Sequence, residues 1–506
     1  MNSDSKKNGI AAGPAAENFP APVYAETVLT PNFEDGKRFF LSALVQMHYA
    51  HTLMLAKQKI ISPDDARACL KALDSLQLDE IKSAAYDGSC EDLFFFVEEK
   101  LADAVGVDLA GRMHTARSRN DIDLTLYRMT VRAEVLKVAE HVLDARAALL
   151  ELAAANIDTI MPAYTHTQPA QPSTFAHYLM AAVEFFGRDF ERLRACWSTI
   201  NRNPLGACAI TTTAFPIDRD YTAELLGFEG LQLNSYGAIA AIDYVTESAG
   251  AIAVCMVSLG KHVQDLLQWC MKEFGFLRLT DAYVQTSSIM PQKRNPVSLE
   301  HTRILASKAF SQAQAVMTCA HNTPFGDIVD SEDDLQPLVF SMFRDASRAL
   351  KLFAGVMRHC EVDREHMADR AQGDFLSVTE LADTLVRREG LSFRMAHRLV
   401  HTAVVACGKY DRDRMVGEVI RLAPEVIGRS LTVSRTVLLE SLDARHFVAI
   451  REIPGGPAPK AVQAAIDVAR TEMNAAAKWV NEKREQERAF PKKIEKAKRE
   501  LLNFTD

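Results

Sequence analysis

Residues 122–156 read IDLTLYRMTVRAEVLKVAEHVLDARAALLELAAAN, with neither glycine nor proline. As one helix this stretch is roughly 50 Å long at 1.5 Å per residue. Leucine, valine and alanine recur on more than one side of it, the pattern of a helix enclosed by other helices. Further segments of the same character start near Pro172 and run to about Asn203, follow Tyr236-Gly237 as far as Glu273, run from Asn295-Pro296 to about Ala320, and resume after Pro337. Strand signals are sparse. The expected fold is all-α: a central long-helix bundle with smaller helical domains at each end, three in all. The expected boundaries are a flexible tail over 1–30, an N-terminal helical domain over 31–120, the bundle over 121–370 and a C-terminal helical domain over 371–506.

Within the first domain, Phe40, Leu41, Leu44, Val45 and His48 keep helical steps, and Ser62-Pro63 opens a helix with the serine as its cap. Shorter helices resume near Arg370–Gly373. The stretch EKREQERAFPKKIEKAKRELL (482–502) reads as a charged, solvated helical face.

A net charge of −8 over 506 residues argues against nucleic acid and against a basic membrane-binding face. The apolar run AGAIAVCMVSLG (249–260) is too short to span a bilayer and reads as buried helix. Prolines 14, 20 and 22 interrupt the N-terminal stretch, so a signal peptide is not expected. Nine cysteines lie scattered without a CxxC pair or a His/Cys ligand spacing. They are read as reduced thiols of a cytoplasmic protein, with no metal and no cofactor expected.

Three polar segments each precede a long helix: GRMHTARSRND (111–121), YTHTQPAQP (164–172) and TSSIMPQKRNP (286–296). Asn120 or Asp121 is expected to cap the first helix, and Pro172 and Pro296 to occupy first helical positions. Helix N-termini present unpaired N–H groups and a positive dipole end, which suit carboxylates and phosphates. Arg117, Arg119 and Lys293 add full positive charge. Successive helices running up and down would put the first segment at one end of the bundle and the other two at the opposite end. One site built from all three then requires more than one subunit, so an oligomer of dihedral symmetry with interfacial sites is expected.

The segment SSIMPQKRNP resembles the signature loop of the aspartase/fumarase superfamily. GRMHTARSRND, YTHTQPAQP, PLGACAITTTAFPIDR (204–219) and IPGGPAP (453–459) resemble argininosuccinate lyase and its close relatives. The resemblance implies a homotetramer whose central helices form one large bundle, with each site shared by three subunits. It implies a small dicarboxylate or aminocarboxylate substrate, cleaved to fumarate and an amine. It assigns Ser287 as the base that takes the proton beside the substrate carboxylate. Lys293 and Asn295 hold that carboxylate as it becomes an aci-carboxylate dianion. His166 forms a pair with Glu300. Ser118, Arg119, Asn120 and Thr165 bind the succinyl carboxylates with Gln171 nearby, and Ser288 and Met290 line the closed loop. The residue types suit the chemistry. Such a proton is very weakly acidic, so a cation, an amide donor and a helix N-terminus must stabilise the charge that builds as it leaves. A serine base needs water excluded and positive charge nearby, which suits a lid; Gly275–Pro296 is the expected one.

The departures from that family cluster on the amine side. Its Tyr-Asn-Lys-Asp-Leu-Gln-Glu-Asp-Lys-like segment is here TPFGDIVDSEDDLQPL (323–338), with Phe325 near the tyrosine, Ser331 near the glutamine and Asp334 near the lysine. NSYGAIAAIDY (234–244) keeps only Asp243 of an Asp-Arg-Asp set, Phe94, Phe95 and Phe96 replace polar positions, and Thr286 stands where glycine is usual. The fumarate-forming half is kept and the arginine-recognising half is not. The expected substrate is an N-substituted aspartate with another amine, as for ethylenediamine-disuccinate lyase. Argininosuccinate is the alternative. A non-catalytic, crystallin-like role is disfavoured because Ser287, Lys293, Asn295, His166 and Glu300 are all retained. The acidic residues of 327–334 suit a cationic amine, although the solvated-loop reading stands slightly ahead.

Overall fold

The glycine- and proline-free stretch forms one helix, Arg119–Ala155, in the computed structural model, which describes residues 19–503. Ser118, not Asn120 or Asp121, is its N-cap. Asp121 instead turns back from the third helical position and accepts the Ser118 N–H at 2.9 Å. Its other oxygen accepts the N–H groups of Gly206 (2.8 Å) and Cys208 (2.9 Å), so one buried carboxylate pins the 204–219 loop to the helix head. Gly206 has φ +93°, and a Cβ there would stand 2.7 Å from the Arg219 side chain, so glycine is required twice over.

The second long helix, Phe175–Ile200, runs antiparallel to the first. Arg128 near the head of the first reaches the carbonyl of Thr199 (2.8 Å), and Arg146 nearer its tail reaches that of Val183 (2.9 Å). The third, Asp243–Trp269, ends with Trp269 packed 4.6 Å from the Tyr178 ring at the start of the second. The fourth, Val297–Ala320, is tied to the third by Arg303 and Gln264 (2.6 Å). The fifth, Gln336–His359, is parallel to the first: Tyr127 bonds Asp333 just before its head (2.8 Å), and Arg358 bonds Asp144 toward its tail (2.6 Å). The bundle alternates up and down, as expected, and the chain is all-α in class.

Arg146 is buried and also pairs with Glu472. It fits because residue 187 is glycine: a Cβ there would meet its guanidinium at 2.8 Å. Gly187→Ala is expected to destabilise the protein by about 2–3 kcal/mol, because displacing a buried cation from its partners outweighs alanine's better helix propensity. The urea midpoint of the variant checks this, and a midpoint equal to the parent's would refute it.

The YTHTQPAQP segment is not a plain lead-in to a helix starting at Pro172. Ile160–Thr165 and Gln168–Thr174 form an antiparallel hairpin in which Pro162 faces Pro172, and the second helix starts at Phe175 with Thr174 as its cap. In a two-stranded ribbon each strand has an outer edge that needs no donor, so prolines are tolerated there.

The helix Pro459–Asn503 leaves the C-terminal region and lies along the bundle. Val462, Ile466, Val480, Phe490 and Ile494 enter the main core, and Arg484 bonds both carboxylate oxygens of Glu140 (2.6 and 2.7 Å). The stretch 482–502 is thus half docked rather than solvated; its many charges hide the stripe made by Phe490 and Ile494, four residues apart. Residues 381–442 keep a separate core of Leu381, Leu385, Leu399, Val419 and Leu438. Of the expected tail, 1–18 lie outside the described residues, while Pro22–Tyr24 and Ala25–Leu29 are helical with Leu29 buried. The 249–260 run lies within the third helix, with Val254 and Val257 exposed on its outer side. Among the described residues no helix is long and apolar enough to cross a membrane.

Candidate active site

The residues singled out from the sequence fall into two groups at opposite ends of the bundle. Ser118, Arg119 and Asn120 start the first helix. Thr165, His166 and Gln171 lie on the hairpin beyond its far end, and Ser287 to Glu300 lead into the fourth helix at that same far end. The 37-residue first helix separates the groups by on the order of 50 Å.

At the far end, the loop of interest is the tip of a two-rung ladder in which Gln285 pairs with Asn295 and Thr286 with Arg294. The Ser287 hydroxyl oxygen accepts the N–H groups of Ile289 (3.3 Å) and Met290 (3.0 Å). Ser288 and Met290 are exposed, and so are Lys293 and Glu300, neither of which forms an ion pair among the described residues. A groove of about 1060 Å³ runs beside this loop, lined by Met271, Lys272, Arg278, Lys293, Asn295 and Glu361 among others. Pro296 is the N-cap of the fourth helix rather than its first residue. His166 and Thr167 form the exposed hairpin turn with φ +50° and +63°, a left-handed pair that fits the twist of a two-residue hairpin loop. No hydrogen bond or ion pair joins His166 to Glu300 within the chain. Gln171 donates to the Thr379 hydroxyl (3.1 Å) and so links the hairpin to the 378–389 helix.

At the near end, Ser118 donates to the Asn120 side chain (2.8 Å). Arg119 is already engaged: it pairs with Asp92 and with Asp123 (2.9 Å), and its guanidinium lies over the Phe94 and Phe95 rings. Behind it, buried Arg117 donates to His48 Nδ1 (3.0 Å) and pairs with Glu98 (3.3 Å). Burial, then the Arg117 charge, hold His48 well below the usual imidazole range. Phe94 packs into the core against His48, Phe96 meets Phe33 edge-on, and Phe95 remains half-buried beside Arg119.

The 327–334 region closes over this end. Asp327, Asp330 and Asp334 are exposed, but Glu332 and Asp333 turn inward, Asp333 onto Tyr127. Burial raises the Glu332 and Asp333 carboxyls, and neighbouring carboxylates raise them further. Asp123 is likewise raised by burial, against the pull of Arg119. Asp92, Asp123 and Asp333 thus face the Arg119 guanidinium, and Glu332 with Asp327 extends the same carboxyl cluster. Asp92 and Asp123 were not singled out from the sequence; the first caps the 93–105 helix and the second lies in the first turns of the long helix, and no local signal distinguishes them. Phe325 stacks on Tyr236 (5.9 Å between ring centres), joining the two segments that depart from the family pattern.

Residues 36–311 match the family described as Lyase, and residues 375–449 the one described as Argininosuccinate lyase C-terminal. The chain is 40% identical over 462 residues to argininosuccinate lyase 2 of Agrobacterium fabrum, covering 90% of this chain and 92% of that one. It is 37% identical over 485 residues to argininosuccinate lyase of Methanoculleus marisnigri, covering 95% and 96%. Among solved structures it resembles EDDS lyase in complex with formate, with a TM-score of 0.84, 30% identity, and coverage of 95% of this chain and 96% of that one. The chain therefore belongs to the lyase family, in the argininosuccinate lyase-like branch of the aspartase/fumarase superfamily.

Proposed function

We propose that this fumarate-releasing carbon–nitrogen lyase acts on an N-substituted L-aspartate whose amine half is cationic and is not arginine. The observation that carries this reading is the carboxyl cluster at this end of the bundle, with Asp92 and Asp123 on Arg119 and Glu332 and Asp333 turned inward. Such surroundings attract a second ammonium group and disfavour the carboxylate that an arginine product carries. The likeness to EDDS lyase supports the same reading.

In the proposed mechanism Ser287 takes the proton beside the substrate carboxylate. Lys293 and Asn295 stabilise the aci-carboxylate that forms. The bond from carbon to the substrate's ammonium nitrogen then breaks, its electron pair leaves with the neutral amine, and fumarate remains. The other carboxylate of the succinyl group is held by the hydroxyl and amide donors of Ser118, Asn120 and Thr165, with Gln171 and Met290 at the margins, while Arg119 is engaged by Asp92 and Asp123. His166 and Glu300 pair across subunits in a homotetramer, each site drawing on three chains. The exposed apolar residues Val254, Val257, Ile304 and Met317 on the third and fourth helices suit such an assembly. The unpaired cysteines suit a reducing, cytoplasmic setting.

Addition of amines to fumarate, followed by loss of fumarate absorbance, tests the substrate. Diamines are expected to exceed arginine by at least about tenfold in kcat/KM. Preference for arginine would instead support argininosuccinate lyase activity, the second reading, which the 40% identical relative favours.

A further inference from the structure

Between the two residues assigned to the substrate carboxylate stands an arginine that the chemistry leaves unused. Arg294 pairs with Thr286 in the ladder formed by Gln285–Thr286 and Arg294–Asn295, and it lines the same groove as Lys293 and Asn295. Its guanidinium is held by two partners. One nitrogen donates to the Leu279 carbonyl (2.8 Å), and another pairs with the Asp281 carboxylate, which the arginine holds below the usual carboxylate range. Leu279 is buried and belongs to a strand paired with Cys360–Val362, directly after the fifth helix. The arginine therefore ties the root of the loop to the fixed body of the bundle. On the incoming arm, the Ser298 hydroxyl donates to the Tyr283 carbonyl (2.8 Å) and braces it against the first turn of the fourth helix. The tethered part ends at these contacts, so the free loop is 287–293, shorter than the Gly275–Pro296 lid expected from sequence.

We propose that Arg294 is a positioning residue. By clamping the loop root to Asp281 and Leu279, it fixes the direction in which Lys293 and Asn295 present their ammonium and amide groups. The inference rests on the reading that those two groups hold the substrate carboxylate. An exposed ion pair adds little to stability. A carboxylate-binding pair displaced by about 1 Å loses on the order of 10²-fold in rate.

The test uses fumarate as the probe, by calorimetry on the full-length protein, with unfolding midpoints measured beside it. Arg294→Met is expected to weaken fumarate binding about tenfold, or about 1.4 kcal/mol, with an unchanged midpoint. Arg294→Lys is expected to recover most of the affinity, and Asp281→Asn to lose an intermediate amount because the Leu279 contact remains. Parental affinity in Arg294→Met overturns the clamp. So does parental affinity in Asp281→Asn alongside a loss in Arg294→Met, because the arginine would then contact fumarate itself. The amine screen is independent: a parent that binds fumarate but adds no amine loses the proposed activity while the clamp stands.

Discussion

Replacing Ser287 with alanine is expected to lower turnover by about 10³-fold and to leave the unfolding midpoint unchanged. The size follows from the role. With no base in reach, proton loss beside a carboxylate depends on water, which a closed loop excludes. In that proposed role, the loop geometry favours a serine acting as a base. Its oxygen accepts the N–H groups of Ile289 and Met290, and donors aimed at a hydroxyl oxygen favour its ionised form. Lys293 adds a nearby cation from the same loop. Stability is expected to be indifferent because the side chain bonds only within the loop tip, among exposed neighbours. Steady-state kinetics with whichever amine the screen selects measures the effect. Activity within about threefold of the parent would remove Ser287 from the mechanism.

The second large effect concerns acid. His262 is buried between Tyr178, Phe185 and Phe353, its Nε2 has no partner, and burial pushes it down to about 4. In the unfolded chain it titrates near 6.5. Between those values the unfolded state binds a proton that the folded state refuses, so stability is lost as pH falls through the window. At pH 5 the loss from this one residue is roughly 2 kcal/mol. His51, pushed down by burial to about 3, acts in the same direction beneath the 113–118 loop. Asp123 and Glu332 act oppositely, since their raised carboxyls hold protons when folded. The contribution of His262 is isolated by comparing the parent with His262→Leu in urea at pH 7 and pH 5. The parent is expected to lose about 2 kcal/mol more than the variant between the two. Equal losses would show that the buried imidazole does not titrate in that window.

The long helices were legible because glycine and proline punctuate them: the first and fourth begin within a few residues of where the chain indicates. The hairpin was not. Prolines 162, 169 and 172 argue against strands, and the ladder forms only because neither outer edge needs a donor. The docked half of the last helix was masked by lysines and glutamates around Phe490 and Ile494. In the candidate site, Ser287, Lys293 and Asn295 were legible because they sit in one short segment. The carboxyl cluster at the opposite end was not, because Asp92, Asp123 and Glu332 come from three separate stretches that only packing brings together.

The first helix keeps its two ends on the order of 50 Å apart, and it is too well packed to bend. Under the reading proposed above, that rigidity makes catalysis a collective property. A lone chain, perfectly folded, is silent, because its own two halves of a site never meet. A chain spoiled at one end still lends the other end, intact, to its neighbours.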